Sequence, residues 1–490
     1  MFAKRLLLLF LAAVFLLSLG NGTLPLTDRD EPRFAEASRE MLERADWVVP
    51  YFNNKFRFDK PPLIYWLQAA SYSVLGETDT AARLPSVLCA ALAAVALAAW
   101  GARLQNPTTG LRAGLIFLLN LQVFAHGRAA VADMAMVLFV LLAAWTGWEW
   151  IQSRRVAWAL AFWTALGLGF LAKGPIALVP IAMAGTLAAG LPRESPPHWG
   201  LWPAGLLLTT TLIALWGIPA LLKTNGEFAA VGLGKHVVSR TIAPMEGHGS
   251  KTWATYLLTL PLYLVTLFPG FAPWSFWLPA ALRNHWREKT PIARYLLVGS
   301  GLVFGIFTLS RTKLPHYTLP AFPFLALLLA LWWPSQLSQK TFTRSACAAA
   351  FLGIFLPILG FPFANRLFLS SQLRHHLSPH VSESTAFGSV EYHEPSLVWY
   401  LRSKTRHFHE PLKEREAVRW MEKDGPRLCI LPTPVARKLF PALAPDWKQV
   451  TVEGLHVVKG KRLELTALIK PSKPNSHRNT PLETSVQAPH

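Results

Sequence analysis

The sequence predicts an α-helical polytopic membrane protein with a small C-terminal α/β domain. Three observations predict it. Of the 490 residues, 52% are hydrophobic and 16% are charged, whereas soluble domains carry about a quarter charged residues. Apolar runs recur at 80–100, 113–126, 134–151, 156–191, 200–222, 254–281, 292–310, 317–334 and 345–364, many long enough to cross a hydrocarbon core of about 30 Å. The basic residues Lys4/Arg5, Arg103/Arg112, Arg154/Arg155, Arg193, Arg283/Arg287/Lys289 and Lys340/Arg344 fall in alternate short loops, which is the positive-inside pattern. That pattern, and not nucleic-acid binding, accounts for the net charge of +20. The 20 Trp and 38 Pro fit a bilayer setting too.

The elements follow in order. Residues 5 to 20 read "RLLLLFLAAVFLLSLG"; because further spans follow, this run is expected to be a retained first helix and not a cleaved signal. The N-terminus is then cytoplasmic and the next stretch external. In that first loop, residues 21–79, Phe34, Ala37 and Met41 recur at helical spacing. They predict a short amphipathic helix over 32–44 on the membrane surface, its Glu36, Arg39, Glu40, Glu43 and Arg44 solvating an interfacial face. Pro61–Pro62 suits the start of a second such helix. The run 156–191 is expected to break at Lys173–Gly174–Pro175. About eleven spans result, placing the C-terminus outside. Past 366 the apolar runs shorten to strand length, and "HVVKGKRLELTALI" reads as a hairpin turning at Lys459–Gly460. The expected domains are therefore 1–365 in the membrane, 366–470 as an external α/β domain, and a disordered tail at 471–490. Cys89, Cys347 and Cys429 are too few for a disulfide framework and read as small core residues.

Ionisable residues gather where external loops meet span ends: Asp30, Glu31, Arg33, Asp59 and Lys60 in the first loop, then Arg128 and Asp133, Lys173, His236 and His248, and Arg311, Lys313, His316 and Tyr317. Charges at membrane depth are costly and mark function. Cations outnumber acids, which suits an anionic ligand; a lipid-borne phosphate is the ligand expected. A transporter would instead show paired halves and charges at mid-span, and a receptor would leave these loops without a task.

Three motifs carry a family resemblance: "DEPRFAEASREML" with "FRFDKPPLIYW", "GLGFLAKGPIALVP", and "SRTKLPHYTLPAFPFLALLLA". Over residues 1 to about 335 the chain resembles the bacterial aminoarabinose transferases and protein mannosyltransferase-like glycosyltransferases, of the membrane-embedded C-type fold with about 11 to 13 helices. The resemblance implies an inner-membrane enzyme. It would move a sugar, such as 4-amino-4-deoxy-L-arabinose, from undecaprenyl phosphate to lipid A of lipopolysaccharide on the periplasmic face, with inversion and without a nucleotide cofactor. The alternative acceptor within the class is protein, by O-glycosylation. The resemblance also implies Asp30 as the catalytic carboxylate, beside Glu31, and Arg33 as a holder of anionic groups. Lys60 keeps the phosphate-binding position in Asp59–Lys60–Pro61, where family members often have Glu-Lys-Pro. Arg128, Lys173, Lys313 and Tyr317 are further candidates for the donor phosphate, and Asp133 is a second candidate acid. Asp59 and His236 make a candidate pair of ligands for Zn²⁺, or for Mg²⁺ or Mn²⁺. No nucleic-acid partner is implied.

Overall fold

The computed structural model describes residues 1–190, 200–232, 234 and 253–472. Eight helices among them are long and apolar enough to cross a membrane: Asp79–Leu104, Asp133–Ser153, Val156–Lys173, Leu201–Lys223, Trp253–Gly270, Pro291–Leu309, Pro315–Trp333 and Gln339–Asn365. The chain is thus a multi-pass membrane protein. Its outward faces agree: Leu207, Leu215, Leu264, Phe351 and Phe363 are exposed along these helices, as lipid-facing side chains should be.

The first nine helices build the part of interest. They are α1 (Phe2–Ser18), α2 (Asp30–Arg44), α3 (Leu63–Leu75), α4 (Asp79–Leu104), α5 (Pro107–Leu118), α6 (Leu121–His126), α7 (Asp133–Ser153), α8 (Val156–Lys173) and α9 (Val179–Ala189). Two of the starts show a local cause. Asp30 and Glu31 place negative charge in the first turn of α2, where the helix dipole favours it. Thr78 caps α4 by accepting from the Ala81 N–H at 3.1 Å. At the other end of α2, Ala45 adopts φ 50°. The 26 residues of α4 extend about 39 Å at 1.5 Å per residue. Its small side chains, Ala90, Ala94 and Ala98, are fully buried and let α5 approach closely. A Cβ on Gly110 would lie 2.1 Å from the Ala98 carbonyl oxygen. Close contact through small residues is how helices associate in lipid, where burial of apolar area gives no drive.

Two expected spans divide. The run 113–126 is split by Asn120, whose amide donates to the Phe117 carbonyl at 2.6 Å and accepts from the Val123 N–H at 2.9 Å; one side chain ends α5 and caps α6. The run 156–191 breaks where expected, at Gly174 with φ 87°.

The described residues fall into two compact units that divide between Asn365 and Arg366. The second holds a five-stranded sheet. With β1 (Tyr51–Phe52) and β2 (Lys55–Phe56) as a small hairpin in the first unit, its strands are β3 (Ala386–Val390), β4 (Glu410–Leu412), β5 (Arg427–Pro432), β6 (Lys448–His456) and β7 (Lys461–Lys470), in the order β4-β3-β5-β7-β6. β4, β3 and β5 are parallel, and β7 returns antiparallel to β5 and β6. The β6–β7 hairpin turns at Gly460, φ 61°, as its Lys-Gly pair predicts. Successive β5 residues feed opposite cores: Leu428 and Ile430 one face, Cys429 and Leu431 the other. Cys89 and Cys429 are buried as expected, but Cys347 is exposed. It stands on the helix Gln339–Phe355, much of whose surface is exposed. Of the tail expected to be disordered at 471–490, residues 473–490 lie outside the described residues.

Candidate active site

The first candidate residues sit at the start of α2, and they divide. Glu31 points inward. The Arg83 guanidinium grips both of its oxygens, Nε to Oε1 at 2.8 Å and Nη2 to Oε2 at 2.9 Å. The backbone N–H groups of Thr27 and Ala130 donate to the same carboxylate, each at 2.8 Å. Arg83 also donates to the carbonyls of Asn21, Leu24 and Pro25. Burial alone would raise the Glu31 carboxyl; the Arg83 charge and these hydrogen bonds overcome it and hold the carboxyl below its usual range. The catalytic assignment of Glu31 is corrected accordingly: its lone pairs are engaged, and it braces the loop after α1, the starts of α2 and α4, and the segment leading into α7. Asp30, one residue earlier, is exposed. Among the described residues it forms no ion pair, nor does the half-buried Arg33.

The polar face of α2 also needs correction. Glu36, Arg39 and Glu40 are buried, at 0%, 1% and 0% exposure. They do not solvate an interfacial helix. Arg39 pairs with Glu36 and with Glu77, each at 2.7 Å, and Glu40 accepts from Arg44 at 3.2 Å and from the Asn54 N–H at 3.1 Å. A buried charge persists only when paired, and here the pairing is internal to the loop.

Asp30 lies close enough for its charge to act on Arg57 and Tyr65. Arg57 donates to the Tyr65 hydroxyl at 3.1 Å, pairs with Asp59 at 2.9 Å and lies over the Phe34 ring at 5.0 Å. Burial pushes the Tyr65 hydroxyl up to about 12, so it stays a neutral donor. Lys60 donates to the Asp59 carbonyl at 2.9 Å. Asp59 and Lys60 then line a cavity of about 330 Å³ together with Lys173. The remaining wall is mostly apolar, including Phe170, Ile213, Trp216 and Leu221.

Lys173 ends α8 and meets Asp133, the first residue of α7, with Nζ 2.5 Å from Oδ1. Lys173 also stands 5.8 Å from the centre of the Tyr317 ring. Beside Asp133 lie His126 and His316, their rings 4.9 Å apart. One ligand atom from each of these three residues falls within 4.8 Å of the others. The sequence marked Asp133 and His316 separately; His126, at the end of a short apolar run, carried no motif.

Two of the expected phosphate cations are occupied elsewhere. Lys313 donates to the carbonyls of Phe307, Thr308 and Ser310, so its ammonium caps the helix Pro291–Leu309. Arg128 donates to the carbonyls of Leu16 and Leu19 at 2.9 and 2.8 Å and to that of Phe124 at 3.2 Å, which ties down the end of α1. Of the metal pair, Asp59 is engaged by Arg57 and His236 lies outside the described residues.

Comparison with known proteins follows from this geometry. The family of dolichyl-phosphate-mannose-protein mannosyltransferases matches residues 59–221. The chain is 34% identical over 331 residues to an undecaprenyl phosphate-alpha-4-amino-4-deoxy-L-arabinose arabinosyl transferase of Aeromonas salmonicida, covering 66% of this chain and 58% of that one. It is 33% identical over 339 residues to the protein so named in Yersinia pestis, covering 67% and 58%. The chain thus spans less than two thirds of the length of these relatives. In fold it resembles ArnT from Cupriavidus metallidurans bound to undecaprenyl phosphate, with a TM-score of 0.73 at 18% identity over 95% of this chain and 98% of that one. The archaeal oligosaccharyltransferase AglB from Archaeoglobus fulgidus is more distant, with a TM-score of 0.51 at 11% identity over 89% and 70%.

Proposed function

We propose that the chain is a glycosyltransferase with a lipid-phosphate donor, a reading supported by its likeness to the aminoarabinose transferases and protein mannosyltransferases and by its C-type membrane fold. The donor is a sugar on undecaprenyl phosphate, 4-amino-4-deoxy-L-arabinose or a relative of it. The acceptor is lipid A, and the reaction takes place at the periplasmic face of the inner membrane. The observation that carries the reading is the cavity in which Lys60 and Lys173 stand against apolar walls. Two ammonium groups beside an apolar surface suit a phosphate that carries an isoprenoid chain.

The chemistry follows from those parts. Undecaprenyl phosphate leaves as an anion, so fixed cations that stabilise its developing charge lower the barrier. Asp133 pairs with Lys173 and holds that ammonium in place. Arg33 and the Tyr317 hydroxyl add donors. Direct displacement at the anomeric carbon inverts its configuration. A hydroxyl acceptor needs a base, and Asp30, exposed and without an ion-pair partner among the described residues, fits that task. A lipid A phosphate is already ionised, and Asp30 then orients the donor sugar or the acceptor.

The test is turnover by the purified chain in detergent with undecaprenyl phosphate-linked aminoarabinose and lipid A. We expect aminoarabinosyl lipid A, and a loss of about 10²–10³ in turnover for Lys60→Met, as for removal of one donor to a developing anion. No product from well-folded native chain overturns this donor and acceptor pair.

A further inference from the structure

We propose that His126, Asp133 and His316 form a binding site for a divalent transition metal of the Zn²⁺ class. The three residues come from three separate places: the last residue of α6, the first of α7, and the turn that opens the span Pro315–Trp333. Their ligand atoms already lie within 4.8 Å of one another. Tetrahedral zinc with bonds of about 2.0–2.1 Å needs ligand atoms roughly 3.4 Å apart. Closing the widest pair by at most about 1.4 Å is within the reach of side-chain rotation at element ends.

The surroundings favour metal ligation over simple packing. His126 Nδ1 lies 3.1 Å from the Gln122 carbonyl and donates to it. That bond fixes the tautomer and leaves the Nε2 lone pair for a ligand, the usual outer-shell arrangement of a metal-binding imidazole. Asp133 accepts from Lys173 on Oδ1, leaving Oδ2 available. Because Lys173 already balances the Asp133 charge, the two imidazoles are not needed to neutralise it. Two imidazoles and one carboxylate select zinc and its first-row neighbours over Mg²⁺ or Ca²⁺. Three protein ligands leave a position open, as in catalytic and not structural zinc sites. The site stands on these residues whether or not the transferase reading holds.

The test uses the full chain, purified with a tag that contains no histidine, stripped with a chelator and titrated with Co²⁺. We expect a d–d absorption band that saturates near one Co²⁺ per chain and is displaced by Zn²⁺ but not by Mg²⁺. His126→Gln and His316→Gln should each abolish saturable binding, while His375→Gln, at an exposed position, retains it. Zn²⁺ should also protect His126 and His316 of the native chain from diethyl pyrocarbonate, which decides the matter even if the variants do not fold. No saturable band in the native chain, a band that survives both substitutions, or unprotected modification of the two histidines overturns the proposal.

Discussion

Arg83 makes five hydrogen bonds with two carboxylate oxygens and three carbonyls, and the start of α2 hangs on it. Arg83→Met leaves Glu31 buried without its counter-charge. We expect a loss of about 3–5 kcal/mol, as when one partner of a buried pair is removed, read as a lower thermal unfolding midpoint. Arg83→Lys should rescue little, since an ammonium cannot reproduce the bidentate grip. The pair also sets a pH dependence. The folded Glu31 carboxyl lies below its ordinary value of 4.5, so its stabilisation is complete above about 4.5 and is lost as pH falls through the lower folded value. Acid titration should show the native chain's advantage over Glu31→Gln constant above about pH 4.5 and shrinking as the pH falls below it. Asp30, Lys60 and Lys173 stand out in the sequence because motifs surround them. Arg83 was not: it opens an alanine-rich run that reads as a membrane span, and its partner is 52 residues away. Lys313 and Arg128 misled for a related reason. Sequence shows a cation at a span end but not that backbone carbonyls occupy it.

Among the elements, the α2 and α3 helices and the break after Lys173 follow directly from periodicity, proline and glycine. What periodicity conceals is which polar face is buried. The charged side of α2 resembles any solvated face until Glu77 closes over Arg39. Long apolar runs likewise hide their divisions, because the cap that divides α5 from α6 is a single Asn120. The α4–α5 contact yields a prediction of its own. Gly110→Val pushes methyl groups into the Ala98 carbonyl, where even a Cβ would stand at 2.1 Å. Overpacking of this kind costs about 1–3 kcal/mol, to be measured as a lower unfolding midpoint in detergent, whereas Gly185→Ala, with no atom within 4 Å of the new Cβ, should be neutral.

At the scale of the molecule, the described residues combine eight candidate spans with a second unit built on a mixed sheet. Composition and the recurrence of apolar runs made this class legible; the number of spans was less so, since short and divided helices escape a hydropathy count. The site draws its side chains from the first loop, α7, α8 and the turn at 315–317, and only the folded chain brings these together. We propose that the chain transfers aminoarabinose to lipid A by a site that depends on Asp30. Mass spectrometry of lipid A tests it most directly, in host cells that make the aminoarabinose lipid donor but lack their own transferase. Native chain should add the mass of the sugar, and Asp30→Asn, expressed to the same level, should not. Unmodified lipid A from well-expressed native chain, or an increment undiminished in Asp30→Asn, would contradict it.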